Sequence, residues 1–224
     1  MNSNPNLVKL KSFLTLQSEK KVDIYNHVIM IHELSLELMQ FFKFNQSYFH
    51  DCIFTFDDGL YSQFYSFEKF NNLFPDNPKF YFISTNILCK ERNFKQKRHV
   101  DCFEAHRAVF EDDNLNAYMK VSQVKELSKK ENVYIGGHGH NHLRANNNVV
   151  SGNLKDRYLT WIFDFKRMVD WFKVNDLPLD IYCTPYNEYN YLFHGGAKKH
   201  FPEIEIIGPN RITPMELLKL KKEK

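Results

Sequence analysis

The stretch "CIFTFDDGLYSQF", from Cys52 to Phe64, carries an apolar run directly into two adjacent aspartates and a glycine. Residues 52–56 have the composition of a buried strand, because they are rich in Ile and Phe. Asp57 and Asp58 follow at once, and two neighbouring carboxylates at a strand end repel each other. A bound cation would remove this conflict. The stretch therefore predicts a metal site at the end of this strand, with its other ligands elsewhere in the chain.

The other apolar segments predict alternating strands and helices. Further strands are predicted in part of "VDIYNHVIMI" (around Tyr25–Ile31, with an accessory hairpin as the alternative) and in "KFYFI", "NVYIG", "LDIYC" and "IEIIG". Three helical stripes are predicted: Phe64, Phe67, Phe70 and Phe74; Val124 and Leu127 after an N-cap at Ser122; and Ile162, Phe165, Val169 and Phe172. This alternation predicts a largely parallel sheet, barrel-like or open, with functional groups at the strand ends.

Length and composition exclude several classes of protein. The 224 residues are predicted to form one domain, and 43% apolar with 16% aromatic residues argue against disorder. A net charge of +3 with scattered basic residues gives no nucleic-acid-binding footprint. No run approaches the ~18 apolar residues of a transmembrane segment. The start of the chain lacks the apolar core of a secretory signal.

The cysteines point to a reducing compartment. Cys52, Cys89, Cys102 and Cys183 lie far apart and form no CxxC pair. They are therefore predicted to be small buried side chains rather than a disulfide framework or a thiolate metal site. Together with the missing secretory signal, this predicts a cytoplasmic location.

Three histidines follow a second predicted strand, in "NVYIGGHGHNHL". His138, His140 and His142 come after two glycines, which allow a tight turn. Two imidazoles and one carboxylate could hold a metal ion and leave positions open for water. In a helical turn His138 and His142 would share a face, whereas in an extended loop His138 and His140 would. The spacing leaves both pairs open, and solvated loop histidines are the alternative.

Together, the two motifs resemble the polysaccharide deacetylase family, the NodB-homology domain of carbohydrate esterase family four. "FTFDDG" matches the family's T-F-D-D-G motif, "IGGHGHNH" matches its I-G-x strand end and H-x-x-x-H, and "KFYFISTNIL" resembles the strand after its first helix. The resemblance covers about residues 50–190. The family-like core is predicted to span about 22–212, with residues 1–20 and 213–224 peripheral. The implied fold is a distorted (β/α) barrel with fewer than eight regular strands.

The resemblance also implies roles for individual residues. Asp58, His138 and His142 would bind a divalent metal ion, with zinc as the expected ion, and His140 would be the less favoured ligand. Asp57 would be the general base that takes a proton from a water acidified by the ion. The water then attacks the carbonyl of an N-acetyl or similar acyl group on a sugar. The ion and the backbone N–H of Tyr186 would stabilise the oxyanion.

The segment "LDIYCTPYNEYN" resembles the family's Arg-x-Pro-Tyr motif. Pro185 and Tyr186 match it and are predicted to contact substrate, although packing under a turn is the alternative for Tyr186. Cys183 stands at the arginine position, so help for the base is missing or comes from elsewhere. Arg211 could orient a carboxylate, bind an anionic group of the substrate, or form an ordinary surface ion pair. Asn187 replaces a common glycine and tolerates a left-handed conformation.

Other departures from the family bear on substrate and activity. Gly139 replaces a hydroxyl residue, and the late Leu-x-His that supplies a general acid is not recognisable; His194 or His27 could replace it, with a structural or surface role as the alternative. These departures favour a cytoplasmic N-acylated sugar or glycan precursor as substrate. The alternative is a catalytically impaired glycan-binding or partner-binding protein on the same fold. A phosphoesterase using an H-x-H pair is disfavoured, because no further Asp or His ligands follow closely.

Overall fold

The computed structural model describes residues 5–18, 27–145, 153–208 and 211–222. Within these ranges, six parallel strands form one sheet whose spatial order follows the chain. They are β1 (Val28–Ile31), β2 (Ile53–Phe56), β3 (Lys79–Ile83), β4 (Val133–Gly137), β5 (Ile181–Cys183) and β6 (Glu205–Ile207). Ile212 pairs in parallel with Ile29, so the chain after β6 returns to the free edge of β1. The sheet is therefore curled into an incomplete barrel.

Helices fill the connections between the strands. They are α1 (Pro5–Ser18), α2 (Leu36–Phe44), α3 (Tyr61–Tyr65), α4 (Phe67–Leu73), α5 (Cys102–Asp112), α6 (Val121–Leu127), α7 (Leu154–Val174), α8 (Tyr191–His200) and α9 (Pro214–Lys222). Short 3-10 turns cover Gln46–Tyr48 and Pro185–Asn187. Among the helices of the described ranges, none combines the length and the hydrophobicity that a transmembrane span requires.

Every predicted strand contains an observed one, and the three predicted helical stripes lie on α3–α4, α6 and α7. Tyr25, at the start of the first predicted strand, lies outside the described residues. The predicted N-cap at Ser122 is wrong, because Lys120 occupies that position and its backbone N–H donates to Gln123 Oε1 at 2.8 Å. Ser122 instead donates from its hydroxyl to Glu91 Oε2 at 2.7 Å. A polar side chain near the start of a helix can therefore hydrogen-bond to a neighbouring loop instead of capping the helix.

An aromatic core fixes the position of β2, whose four residues are all buried. Phe54 packs edge-on against Phe70 of α4 with ring centroids 4.8 Å apart. Phe56 stacks on Tyr81 of β3 at 4.5 Å. Fully burying a side chain of this size stabilises a fold by about 1.5–3 kcal/mol. The strand that carries the two aspartates is thus held on one face by large aromatic rings.

The strand register brings the ends of four strands close together, with β3 and β4 reaching two residues beyond β1 and β2 because Phe56 lies opposite Tyr81. Ile31 of β1 lies opposite Phe56 of β2, and Ile83 of β3 lies opposite Gly137 of β4. The residues that come next, among them Asp57 and His138, therefore meet at the carboxyl end of the sheet. This is the edge where parallel α/β sheets place their functional groups.

Candidate active site

A tight left-handed turn ends β2 and separates the two aspartates. Asp58 and Gly59 have φ values of 72° and 79°. A Cβ on Gly59 would lie 3.3 Å from Ile83, and positive φ is costly for other residues, so glycine suits this position. The backbone carbonyl of Asp57 accepts a hydrogen bond of 2.6 Å from Gln63 Nε2 of α3. Both carboxylates are buried, and each has a different set of neighbours.

Asp57 forms a two-pronged ion pair with Arg211. The distances are 2.6 Å from Nη1 to Oδ1 and 2.7 Å from Nη2 to Oδ2. Arg211 also donates to Thr55 Oγ1 at 3.0 Å and to Asn187 Oδ1 at 2.7 Å. Because all of these groups are buried or partly buried, the guanidinium is locked in one orientation.

The geometry of this pair bears on the three alternatives for Arg211. Its side chain has no exposed surface, so it forms no surface ion pair and offers nothing to a substrate in the pocket. Its position fits the first alternative, orientation of a carboxylate. Burial acts to raise the pKa of Asp57, but the charge and hydrogen bonds of Arg211, helped by His138, lower it below its ordinary value.

Asp58 lies between two imidazoles from the loop after β4. Its Oδ1 is 3.3 Å from His138 Nε2 and 3.0 Å from His142 Nε2. His138 Nδ1 lies 2.9 Å from the backbone carbonyl of Cys183, so in the neutral ring Nδ1 carries the proton and Nε2 presents a lone pair. The residue at the family's arginine position thus holds a histidine through its backbone.

The loop that carries these histidines is braced by Asp164 of α7. The Asp164 carboxylate accepts from the backbone N–H of His140 at 2.8 Å and of Asn141 at 2.9 Å. Gly139 has φ 83°, and a Cβ there would lie 3.2 Å from Asp164 Oδ2. Glycine in place of a hydroxyl residue is explained by this turn.

The turn also separates the three histidines. The His140 ring faces Thr85, with Nδ1 2.8 Å from Oγ1. His138 and His142 face Asp58, so the structure brings together the pair four residues apart.

The donor atoms of Asp58, His138 and His142 fit a divalent metal ion. Their ligand atoms all lie within 4.8 Å of one another, and all three residues are buried. Asp58 Oδ1 has no hydrogen-bond partner in the described part of the chain, although it is buried. Converging lone pairs of this kind repel unless a proton or a cation lies among them. One carboxylate and two imidazoles form a donor set typical of zinc and similar ions.

The surroundings shift the pKa values of these three residues in different directions. Burial lowers the pKa of His138, but the two acceptors beside its ring nitrogens, the Asp58 carboxylate and the Cys183 carbonyl, outweigh burial and raise the pKa well above its usual value. At His142 burial dominates and the pKa falls. Burial would also raise the pKa of Asp58, yet the two imidazoles hold it well below its ordinary range. In the metal-free protein a proton therefore competes for the ligand cluster through His138.

A pocket of about 380 Å³ opens above the cluster. Tyr186 forms one wall, with its ring 4.6 Å from that of His142 and φ at 59°. The guanidinium of Arg144 lies 3.7 Å from the centre of the Tyr186 ring and pairs with Glu188 at 2.7 Å. Asn187 also has a positive φ, 54°, in agreement with the tolerance expected of asparagine.

Helix α5 forms the opposite wall and carries residues that the sequence analysis missed. The His106 ring stacks on His142 at 4.7 Å, and its Nε2 lies 3.6 Å from Asp58 Oδ2. The thiol of Cys102 donates to the same oxygen at 3.3 Å. The expectation that every cysteine is simply buried is therefore wrong for Cys102, which is half-buried beside the cluster. The spacing of Cys102 and His106, one helical turn apart, was the available signal.

The remaining predicted site residues lie away from the pocket surface. Pro185 is buried, and its carbonyl accepts from the Glu188 N–H at 3.2 Å. His194 is buried against Tyr189, and its Nδ1 accepts from the backbone of Asn190 at 3.0 Å. His27 is fully buried just before β1, at the other end of that strand from Asp57. Neither histidine lines the pocket above Asp58.

Comparison with known structures identifies the fold. No protein-family model matches the sequence, and no curated protein matches it. The structure is similar to that of IcaB from Ammonifex degensii, with a TM-score of 0.61 and 13% identity over 89% of this chain and 97% of that chain. It also matches the Streptococcus pyogenes deacetylase PplD in complex with acetate, with a TM-score of 0.49 and 13% identity over 88% and 98% of the two chains. The similarity to IcaB confirms the predicted distorted (β/α) barrel.

Proposed function

We propose that this protein is a metal-dependent deacetylase that hydrolyses an N-acyl group, in the first instance N-acetyl, on a sugar or glycan precursor. The observation that carries the proposal is the division between adjacent carboxylates. Asp57 is oriented by Arg211, whereas Asp58 faces two imidazoles. Amide hydrolysis by activated water needs one group to bind the activating ion and another to accept a proton.

Zinc is the ion that best fits the proposed ligands Asp58, His138 and His142. When bound there, such an ion would acidify a water and polarise the acyl carbonyl. Three protein ligands leave coordination positions open, which is typical of catalytic rather than structural sites. The hydrogen bond from His138 Nδ1 to the Cys183 carbonyl keeps Nε2 available, so the protein sets the ligand geometry in advance.

Asp57 is proposed to be the general base. Arg211 lowers its pKa, so the carboxylate is ionised at neutral pH and ready to accept a proton. The two hydrogen bonds from Arg211 fix the direction in which its lone pairs point. The Tyr186 backbone N–H is the proposed oxyanion donor, since Tyr186 lines the pocket beside His142.

The pocket suits a compact substrate. A volume of about 380 Å³ is at the lower end of the range of small-molecule sites, and matches one sugar ring with its acyl group. The free cysteines of the chain fit a reducing compartment, which supports a cytoplasmic sugar or glycan precursor as substrate. We further propose that residues 1–224 act as one domain.

The arrangement weakens the alternative of an impaired binding protein. That alternative rested on a missing arginine and a missing late histidine. Arg211, from another part of the chain, pairs with Asp57 and is proposed to take the role of that arginine.

Acetate release from a panel of N-acetylated sugars and sugar nucleotides tests the proposal. The zinc-loaded wild type should release acetate, and Asp57→Asn should keep its zinc while losing roughly 10²–10⁴-fold in rate. Asp170→Asn, which alters an exposed aspartate paired with Lys166, is the matched control and should be fully active. Full activity of Asp57→Asn would falsify the base assignment. Sugar binding by the wild type without acetate release would favour the binding protein.

A further inference from the structure

The Oδ2 atom of Asp58 faces a second group of side chains of the types that bind metal ions. Cys102 Sγ lies 3.3 Å and His106 Nε2 lies 3.6 Å from Oδ2. His32, in the loop after β1, also belongs to this group. The ligand atoms of His32, Asp58 and Cys102 all lie within 4.8 Å of one another. These contacts lie on the opposite oxygen from the one that faces His138 and His142.

One atom of this group is conspicuously without a partner. His106 Nε2 is buried, yet it has no hydrogen-bond partner among the described residues. Its ring is held by stacking on His142 and by contact of Nδ1 with Cys102 Sγ at 3.7 Å. A buried polar nitrogen left unpaired destabilises the folded protein. A cation beside Asp58 Oδ2 would give this nitrogen a favourable neighbour.

The charge of the pocket exceeds what one divalent ion neutralises. Four carboxylates line it, those of Glu33, Asp57, Asp58 and Asp101, and no lysine or arginine side chain lines it in the described ranges. Arg211, behind the pocket, offsets Asp57 alone. One ion would offset two of the remaining three carboxylates. The third carboxylate and a Cys102 thiolate would then match a second ion.

We propose that the Asp58 carboxylate bridges two divalent metal ions. Oδ1 shares the first ion with His138 and His142, and Oδ2 holds the second with Cys102 and His32, while His106 lies beside it. Imidazole, thiolate and carboxylate together are a zinc-type ligand set. On binding, the S–H bond of Cys102 breaks, its proton passes to solvent and the sulfur pair binds the ion. The second site shares Asp58 with the proposed deacetylase metal but does not depend on the reaction.

Metal stoichiometry and cobalt absorption test this proposal. Metal-free wild type should bind about two Zn²⁺ or Co²⁺ ions per chain, because each ligand set holds one ion. With Co²⁺ it should show the near-ultraviolet charge-transfer band of a thiolate bound to cobalt. Cys102→Ser should bind about one ion and lose the band, because a hydroxyl is a poor ligand for these ions.

Three further variants make the result specific. Cys89→Ser is the control, since Cys89 lies outside the pocket and its Sγ accepts from Asn93 at 3.3 Å; it should keep both ions and the band. His32→Ala should lower the content to about one ion while its circular dichroism stays that of the wild type. His142→Ala removes a ligand of the first ion only, so it should retain the thiolate band.

The outcomes separate this inference from the proposed function. Wild type that binds one ion, with or without the band, overturns the bridging site, as does a band that survives Cys102→Ser. Two ions per chain with no acetate release would support the bridging site and contradict the deacetylase. One ion with normal acetate release would do the reverse.

Discussion

The two walls of the pocket are built in different ways. The sheet-end wall carries Asp57 and His138 and is tied to the barrel by buried polar contacts, such as those of Arg211 and the Cys183 carbonyl. The α5 wall carries Cys102 and His106 and packs on a small apolar cluster around Ala105. A site assembled from strand ends is positioned by the sheet, whereas a site on one helix depends on how that helix is attached. Substitutions in the sheet-end wall should therefore have larger effects than substitutions in the α5 wall.

The comparison predicts that Asp58→Ala has the largest effect, because Asp58 contacts both walls. We expect loss of bound zinc and of acetate release, measured by elemental analysis and the acetate assay. The matched control is Asp57→Asn, which should lose rate but keep zinc. Zinc retained by Asp58→Ala at the wild-type level would contradict the proposed ligand set.

Arg211→Met should have the second-largest effect, because it removes the group that orients the Asp57 carboxylate and keeps it ionised. Because Arg211 lowers the pKa of Asp57, its removal should raise that pKa and shift the acid limb of the rate profile to higher pH. The rate should fall by roughly 10²-fold or more. Arg211→Lys keeps the charge but not the two-pronged geometry, so it should recover the pH profile better than the rate. An unchanged profile in Arg211→Met would show that Asp57 does not titrate in the reaction.

Asp164→Ala tests the brace behind the histidine loop. We expect zinc affinity to fall by about 10–100-fold, as for other residues that hold metal ligands in place. The measurement is competition with a chelator, and Asp164→Asn should retain part of the affinity because its amide oxygen still accepts a hydrogen bond. Equal affinity in all three proteins would mean that the sheet-end wall is fixed without this carboxylate.

The pH dependence of zinc affinity tests His138, a proposed ligand in the sheet-end wall. The pKa of His138 is raised in the metal-free protein, so a proton occupies its ring up to a higher pH than usual. Zinc must displace that proton, and affinity should therefore fall as pH falls through this pKa. Chelator competition at several pH values measures the slope. Affinity independent of pH would contradict the proposed role of His138.

Asp101→Ala should have the smallest effect and act on the α5 wall alone. Asp101 is the N-cap of α5, and its Oδ1 accepts from Phe103 N at 2.9 Å and from Glu104 N at 3.3 Å. Losing this cap should cost about 0.5–2 kcal/mol in the free energy of unfolding, measured by denaturant titration. Asp101→Asn keeps the acceptor and should be close to wild type. If zinc affinity, measured in the same chelator competition, fell further in Asp101→Ala than in Asp164→Ala, the order of the two walls would be reversed.

The sheet-end wall could be predicted from sequence, because its signals are local. Strand β2 and the aspartates are contiguous, and the histidines follow β4 directly. The choice of His142 over His140 needed the family resemblance, since it depends on a turn set by Asp164. Arg211 was singled out, but its partner was not, because the two residues meet only when the chain after β6 returns to β1.

The α5 wall could not be predicted in the same way. The segment that contains Cys102 and His106 follows no strand end, and it carries no motif with known spacing. Its helix places two polar side chains one turn apart, but which element that face would contact is decided by packing around Ala105 and Tyr118. Local sequence therefore indicated neither the helix's neighbour nor its contribution to the pocket.

The bond between Asp57 and Arg211 also has a consequence for biosynthesis. A ribosome makes a protein from its amino end, so Asp58, His138 and His142 emerge before Arg211 does. On the proposed assignment, a chain that stopped before Arg211 would carry the three metal ligands but lack the residue that orients the base.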